Sequence, residues 1–389
     1  MKSAFLGTLP ALIALALLSC GTTTTTPGST APGILYVVTQ GNSSVSAFGI
    51  NLGNGTISTN GNATASGAMS SAIVLPGAAA FVSNSQDNTI SSFTLKSDGT
   101  LATGSTTTLT NASTPMGLAV DSGGKFLFVA DQGSNTISVF TISNSTLAEV
   151  AGSPFPANDP TAPNVATGPV SVAVSPSANF LYVAYQFTNT IGAFSVDSNG
   201  ALTPSGAASY PVGTSPANLV LAASPDGNFL YLYVANQGSN NISAFGVCAK
   251  ASLTCPAADG SLHVIQGSPF PAGLGPIAMA GSFDQIGAYL FVANFNSNQV
   301  SNFRISTGTG ALAANTQPTA STGANPSAIV VRAGSGAVLS DGGTTSYVYV
   351  ANKTAGTISV FSYDNKDGNL SVVGNPVTTQ GQPSALGVK

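Results

Sequence analysis

The sequence predicts an all-β protein, a seven-bladed β-propeller with four antiparallel strands per blade, whose ring is closed by the C-terminal strand joining blade 1. Three observations predict it. One hairpin pattern recurs seven times, an Asn-Gly or Asp-Gly turn follows most copies, and each end of the chain lacks the part of the unit that the other end has to spare. Anchor spacings of 45, 47, 54, 51, 58 and 58 residues lie close to the roughly 40–50 of propeller repeats.

The chain begins "MKSAFLGTLPALIALALLSCG", one cation, Lys2, and then an apolar run to Leu18 that is short for a bilayer span. Residues 1–20 therefore read as an export signal. Its end, "LLSC", resembles the lipobox of bacterial lipoproteins, which implies that Cys20 is lipidated and becomes the first residue of the mature chain. An ordinary cleaved signal with a chance Cys is the other reading. Residues 21–33, "GTTTTTPGSTAPG", have almost nothing to bury and read as a flexible tether. Residues 34–389 form the propeller; composition does not break along them, which favours a repeat over two domains.

The hairpins are "YVVTQGNSSVSAF" from Tyr36, "FVSNSQDNTISSF" from Phe81, "FVADQGSNTISVF" from Phe128 and "YVAYQFTNTIGAF" from Tyr182. Three more start at Tyr233, Phe291 and Tyr349. A Val or Ile falls nine residues after each anchor and a Phe twelve after it. Two short apolar runs separated by Gly, Asn, Ser and Gln fit two strands buried on both faces and joined by a polar turn. A Pro-led strand precedes most copies, as in "PMGLAV" at 115, "PVSVAV" at 169, "PANLVL" at 216, "PIAMAG" at 276 and "PSAIVV" at 326. A fourth strand follows a predicted two-residue turn, as in "DGTL" at 98, "NGAL" at 199 and "DGNL" at 367, because both turn residues are expected at positive φ. The first hairpin has no Pro-led strand before it, and the chain ends with a spare one, "PSALGV" at 383. That strand completes blade 1 and removes two open sheet edges.

The shared unit, a Pro-led strand such as "PMGLAV", a turn such as "SPDG" and a hairpin such as "FVADQGSNTISVF", resembles the lactonase family of seven-bladed propellers. That family includes bacterial 6-phosphogluconolactonases and fungal muconate cycloisomerases. The unit is also similar to the YVTN repeats of exported and surface-layer proteins. The resemblance covers about 34–389 and implies the fold; for activity it implies a channel mouth carrying His, Arg and Glu. This chain departs from that pattern. It has one His, His263, and one Glu, Glu149, both in predicted fourth strands, and two arginines, Arg304 and Arg332. A phosphorylated sugar lactone needs a cationic pocket and is cytosolic, so export argues against that substrate.

Without Lys2 the chain has eight cations against thirteen acids, which argues against nucleic acid as a partner. Cys248 and Cys255, in "CAKASLTC", are expected to form a disulfide in an oxidising compartment, with a metal pair as the rival. No metal and no cofactor is expected; "DNKDG" from Asp364 faintly resembles a calcium loop but coincides with a hairpin turn.

The loops between second and third strands should surround the channel. They carry Asp87, Asp131 and Lys353, candidate catalytic residues, and Gln40, Gln132, Gln186 and Gln237, candidate ligand-binding residues. A buried carboxylate there could act as general base in lactone hydrolysis. The repeats supply a plainer role. The third residue after the anchor is Thr39, Asn84, Asp131, Tyr185, Asn236, Asn294 or Asn352, so Asp131 occupies what is usually an Asn turn position. Two identical inserts, "GSPFPA" at 152 and 267, carry Phe155 and Phe270, which either wedge neighbouring blades or form an apolar contact surface. The long loop "ANDPTAPNVATG" after Phe155 is the better candidate for contact with a ligand or partner.

The reading that follows is an exported lipoprotein on the periplasmic or cell-surface side, held to a membrane through Cys20. There it would bind an envelope protein or a carbohydrate or lactone ligand, or act as a scaffold. A divergent lactonase or cycloisomerase is the alternative, and a structural surface-layer component a third.

Overall fold

A computed structural model describes residues 33–158, 165–177, 179–205, 209–224, 227–249, 255, 258–283, 287–332 and 345–389. The expected signal, Cys20 and nearly all of the tether lie outside these residues, as do 159–164 of the long loop and Pro225 and Asp226 of "SPDG". The described residues contain strands and turns and no helix. They form seven antiparallel sheets arranged as blades, each running from an inner strand through two hairpin strands to an outer one.

The C-terminal strand closes the ring. Pro383–Val388 pairs antiparallel with Gly33–Thr39, Leu35 opposite Val388 and Thr39 opposite Pro383, so blade 1 takes its inner strand from the far end of the chain. Blade 2, which has no Pro-led strand, uses Ser70–Val74 instead. The second strands are continuously buried, as in Phe126–Asp131 and Phe180–Tyr185, because each is covered by a blade on either side. Between blades 7 and 1, Leu35, Val37 and Phe48 pack with Val330, Tyr347 and Tyr349; each other seam repeats this arrangement.

The turn into the outer strand differs from expectation. Of each pair only the glycine is at positive φ: Gly55 at 75°, Gly99 at 81°, Gly200 at 87°, Gly260 at 73° and Gly368 at 67°. In blade 2 the Gly99 N–H donates to Lys96 O and the Lys96 N–H to Thr100 O, which makes a longer, bulged hairpin loop. Asp98 then accepts from the Thr100 amide at 2.8 Å and its hydroxyl at 2.7 Å, and these bonds hold its carboxyl below the usual range. The glycine is required twice over, since a Cβ at Gly99 would also collide with Ile34 of blade 1.

These turns join blades. The hydroxyl of Tyr36 donates to Gly99 O at 2.9 Å, Tyr182 to Gly260 O at 2.8 Å, Tyr233 to Gly310 O at 2.7 Å and Tyr349 to Gly55 O at 3.1 Å, each crossing a seam. The outer strand is continuous in blades 2 and 6 and split in two elsewhere. The second pieces in blades 3 and 5 are Phe155–Pro156 and Phe270–Pro271 of the repeated insert. Both phenylalanines are half-buried against the core rather than fully inside it.

Candidate functional site

The loops between second and third strands and the loops entering the inner strands open on one face, around a cavity of about 360 Å³. Two repeat positions build its wall. The fourth residue after the anchor forms the rim: Gln40, Gln132, Gln186, Gln237, Phe295 and Lys353 line the cavity, and only Ser85 of blade 2 stands back. All seven are half-buried. The cavity thus gathers the four glutamines and the lysine singled out from the sequence and adds Phe295, whose aromatic ring breaks the amide pattern that identified the others.

The second wall position went unrecognised. Each inner strand has a register irregularity just after its first residue; in blade 4, Pro169 pairs with Tyr185 but Ser171 with Ala184, leaving Val170 bulged out. The same break falls beside Ser71, Met116, Ala217, Ile277, Ser327 and Ser384. A bulge re-aims the extra residue, and here all seven such residues line the cavity. The recurring Pro marks the position, but nothing in the composition says that its neighbour leaves the ladder.

The loops are held by a residue seven after the anchor, which is at positive φ in every blade: Ser43, Asn88, Asn135, Asn189, Asn240, Asn298 and Gly356. Asn tolerates this conformation, and its side chain has a second use. Asn88 Oδ1 accepts from the Thr114 amide at 2.7 Å, Asn135 from Gly168 at 2.9 Å, and Asn240 from Gly275 at 2.7 Å, each staple reaching the entry loop of the next blade.

The three titratable candidates do not come together. Asp131 is fully buried at the end of its strand, its Oδ2 accepting from the Ser138 amide at 2.9 Å and hydroxyl at 2.7 Å. Burial pushes its carboxyl up to about 7, against those bonds. The same partnership recurs as Asn84 with Ser91, Asn236 with Ser243, Asn294 with Ser301 and Asn352 with Ser359, at 2.8–2.9 Å. In blade 4 the pair is Tyr185 and Gly192, where a Cβ would collide with the tyrosine hydroxyl. Asp131 therefore has the contacts of a structural cross-strand cap. Asp87 is exposed, accepts from the Ala68 amide at 2.6 Å, and lines a separate groove of about 480 Å³ beside Ser66 and Thr106. Only Lys353 faces the central cavity, and it has no ion pair or hydrogen-bonded side-chain partner among the described residues.

The rim amides are partly committed. Gln132 Nε2 donates to Gln186 Oε1 at 2.9 Å, with no acceptor for the Gln186 Nε2 among the described residues, while Gln40 Nε2 donates to Ser70 O at 3.2 Å. Among the described residues no carboxylate, imidazole or guanidinium lines the cavity. Glu149 and His263 are exposed on outer strands, as their positions implied. His263 is also brought within 4.8 Å of Cys248 and Cys255, a proximity not expected from the sequence; the two cysteines are bonded to each other, with Cα atoms 5.4 Å apart.

The profile of the family described as "Lactonase, 7-bladed beta-propeller" matches residues 29–162 and 153–254, more than half of the chain. The chain belongs to this family. Among solved structures, this lactonase-family propeller is similar to a putative 6-phosphogluconolactonase from Bacteroides fragilis, with 21% identity, a TM-score of 0.72, and 94% of this chain and 100% of that one covered. It is also similar to a periplasmic gluconolactonase of Pseudomonas aeruginosa, at 20% identity and a TM-score of 0.65, covering 92% and 98% of the two chains. A Lactobacillus plantarum protein shares 17% identity at a TM-score of 0.70, with 92% and 99% covered. At these identities the likeness is one of fold. No curated protein matches the sequence.

Proposed function

We propose that this lactonase-family propeller is a binding module of the cell envelope that holds a small lactone or hydroxy acid at its channel mouth. The observation that carries this reading is the rim itself, four glutamines and one lysine around a cavity with no carboxylate or imidazole among its described lining residues. Amides and a lysine recognise hydroxyl, carbonyl and carboxylate groups. General acid–base hydrolysis needs a titratable group within reach of the attacking water. A phosphorylated lactone would meet a single cation there, a weak match for a dianion.

Attachment through Cys20 fits the geometry. The chain enters blade 1 at Gly33, and a seven-residue strand separates it from Thr39 at the mouth, about 20 Å away. A lipid-anchored tether would therefore reach the face opposite the mouth and leave the cavity pointing away from the membrane.

The second reading, a divergent lactonase or cycloisomerase, is favoured by family membership and by Lys353, whose side chain has no partner among the described residues. One experiment separates the two. The full-length chain is titrated by calorimetry with glucono-δ-lactone, gluconate and 6-phosphogluconate, and lactone hydrolysis is followed in a pH-stat. Saturable binding of an unphosphorylated ligand, weakened at least tenfold by Lys353→Met, with hydrolysis at the buffer rate, is expected. Turnover abolished by Lys353→Met or Asp87→Asn in a folded variant would make the protein an enzyme. No binding of any of the three, with no turnover, would send the search to envelope proteins as ligands.

A further inference from the structure

The cavity wall is not uniform around the ring. The bulged residues of blades 7, 1 and 2, which are contiguous across the closure, are Ser327, Ser384 and Ser71. Lys353 and Gln40 stand above them. The bulged residues of blades 3 to 6 are Met116, Val170, Ala217 and Ile277, with Phe295 on the rim above blade 6. The layer of bulged residues is thus polar in one arc, beside a cation, and apolar in the other, where Gln132, Gln186 and Gln237 stand on the rim above it.

Ordinary packing explains part of this. Ser327 donates its hydroxyl proton to Pro383 O at 2.8 Å and Ser384 to Ser70 O at 2.8 Å, so these serines also tie adjacent inner strands together. Those bonds decide what the arc offers a ligand, because hydroxyls whose protons are committed present lone pairs to the cavity and accept. Val170 belongs to a core cluster between blades. Met116 and Ile277 do not: they are half-exposed, line the cavity, and take no part in any inter-blade cluster. On the same face Val165, Phe187 and Leu274 are 53%, 57% and 56% exposed and carry the apolar surface outward over blades 4 to 6.

We propose that the ligand is amphipathic: a lactone or hydroxy acid with its carbonyl or carboxylate oxygen toward Lys353, a hydroxyl toward the serine arc, and an aliphatic substituent against Met116, Ile277 and Phe295. This rests on the reading of the mouth as a lactone or hydroxy-acid site and narrows it, since a bare sugar lactone has hydroxyls on every side and would set some of them against the side chains of Ile277 and Phe295, which offer no hydrogen bond. Burying an added methylene is worth about 0.8 kcal/mol, close to fourfold in affinity, when it is fully covered.

The test compares γ-decalactone and 4-hydroxydecanoate with γ-valerolactone and 4-hydroxypentanoate, each titrated calorimetrically into the full-length chain, with glucono-δ-lactone as the polyhydroxylated reference. The ten-carbon ligands should bind at least tenfold more tightly than the five-carbon ones, and Ile277→Asn should reduce that ratio to about threefold or less. A second variant, Met116→Gln, guards against misfolding of the first. Equal affinity for long and short chains, or tighter binding of glucono-δ-lactone than of any alkyl ligand, overturns the amphipathic assignment and leaves the mouth a polar lactone site. Binding of none of these compounds overturns the lactone or hydroxy-acid reading together with it.

Discussion

Asp131 and Gln132 are neighbours in sequence and belong to different parts of the molecule. The first closes a strand, with no exposed surface, and is tied to Ser138; the second stands on the cavity rim and reaches across a seam to Gln186. Six of the seven blades repeat this contrast, Ser85 of blade 2 standing back from the cavity. The third residue after the anchor turns into the sheet, where the fold decides its chemistry, and the fourth turns toward the channel, where a ligand could. One step along a strand reverses the side-chain direction, so functional and structural demands alternate instead of competing. A carboxylate in the first position is therefore a poor catalyst for reasons of place: its ionised form is disfavoured by burial, and it does not line the cavity.

That contrast is most sharply tested at Asp131 itself. Burial pushes its folded carboxyl up to about 7, from an ordinary value near 3.8. Below the lower value both states are protonated and folding carries no penalty. As pH rises from there toward 7 the unfolded chain releases its proton first, so stability falls, and above 7 the loss is complete. Asp131→Asn, which restores the usual residue, should abolish this slope and stabilise the protein by roughly 4 kcal/mol at pH 8, with little change at pH 4. Urea denaturation of both proteins at the two pH values checks it; a catalytic assignment would instead require loss of turnover without this stabilisation.

Asn352→Ala addresses the same position where the residue is neutral. The change removes bonds at 3.1 Å to Thr357 and 2.9 Å to Ser359 from a fully buried site and should cost about 2–3 kcal/mol at every pH, read by the same denaturation series. The blade 4 exception gives a reciprocal test. Gly192→Ser places a side chain against Tyr185 and should destabilise by about 1–3 kcal/mol, whereas Tyr185→Asn combined with Gly192→Ser rebuilds the Asn–Ser pair and should recover most of that loss. Failure of the double variant to recover would mean that blade 4 has adapted its surroundings to the tyrosine beyond this one contact.

How much of this was legible beforehand depended on whether a position repeats with a recognisable residue type. The Tyr or Phe anchor, the Val or Ile nine after it and the Phe twelve after it recur with little variation, which made blade count and ring closure readable. The recurrence of Asn three after the anchor identified Asp131 as a turn-type residue, and the glutamines marked the rim. The bulge was hidden because its seven occupants, from Ser71 to Ile277, share no chemistry; they share a backbone irregularity, which leaves no residue signature. The seventh residue after the anchor was visible as a recurrent Asn, but its staple to the next blade's entry loop depends on which loops face each other in space. His263 beside the disulfide was hidden for the same reason, since the contact is set by the pairing of Val247 with Leu262 and not by spacing along the chain.

The smallest expected effect closes the comparison from the other side. Gln237 lies one residue beyond Asn236, lines the cavity, and has no hydrogen-bonded side-chain partner among the described residues. If the fourth position serves ligands and not the fold, Gln237→Ala should change the free energy of unfolding by less than about 0.5 kcal/mol. The same variant should weaken binding of whatever lactone or hydroxy acid the wild-type protein takes up by a few-fold, the contribution of one neutral hydrogen bond. Denaturation and calorimetry on one preparation measure both quantities. A destabilisation matching that of Asn352→Ala, with affinity unchanged, would place the rim among the structural positions and erase the distinction between the two neighbours.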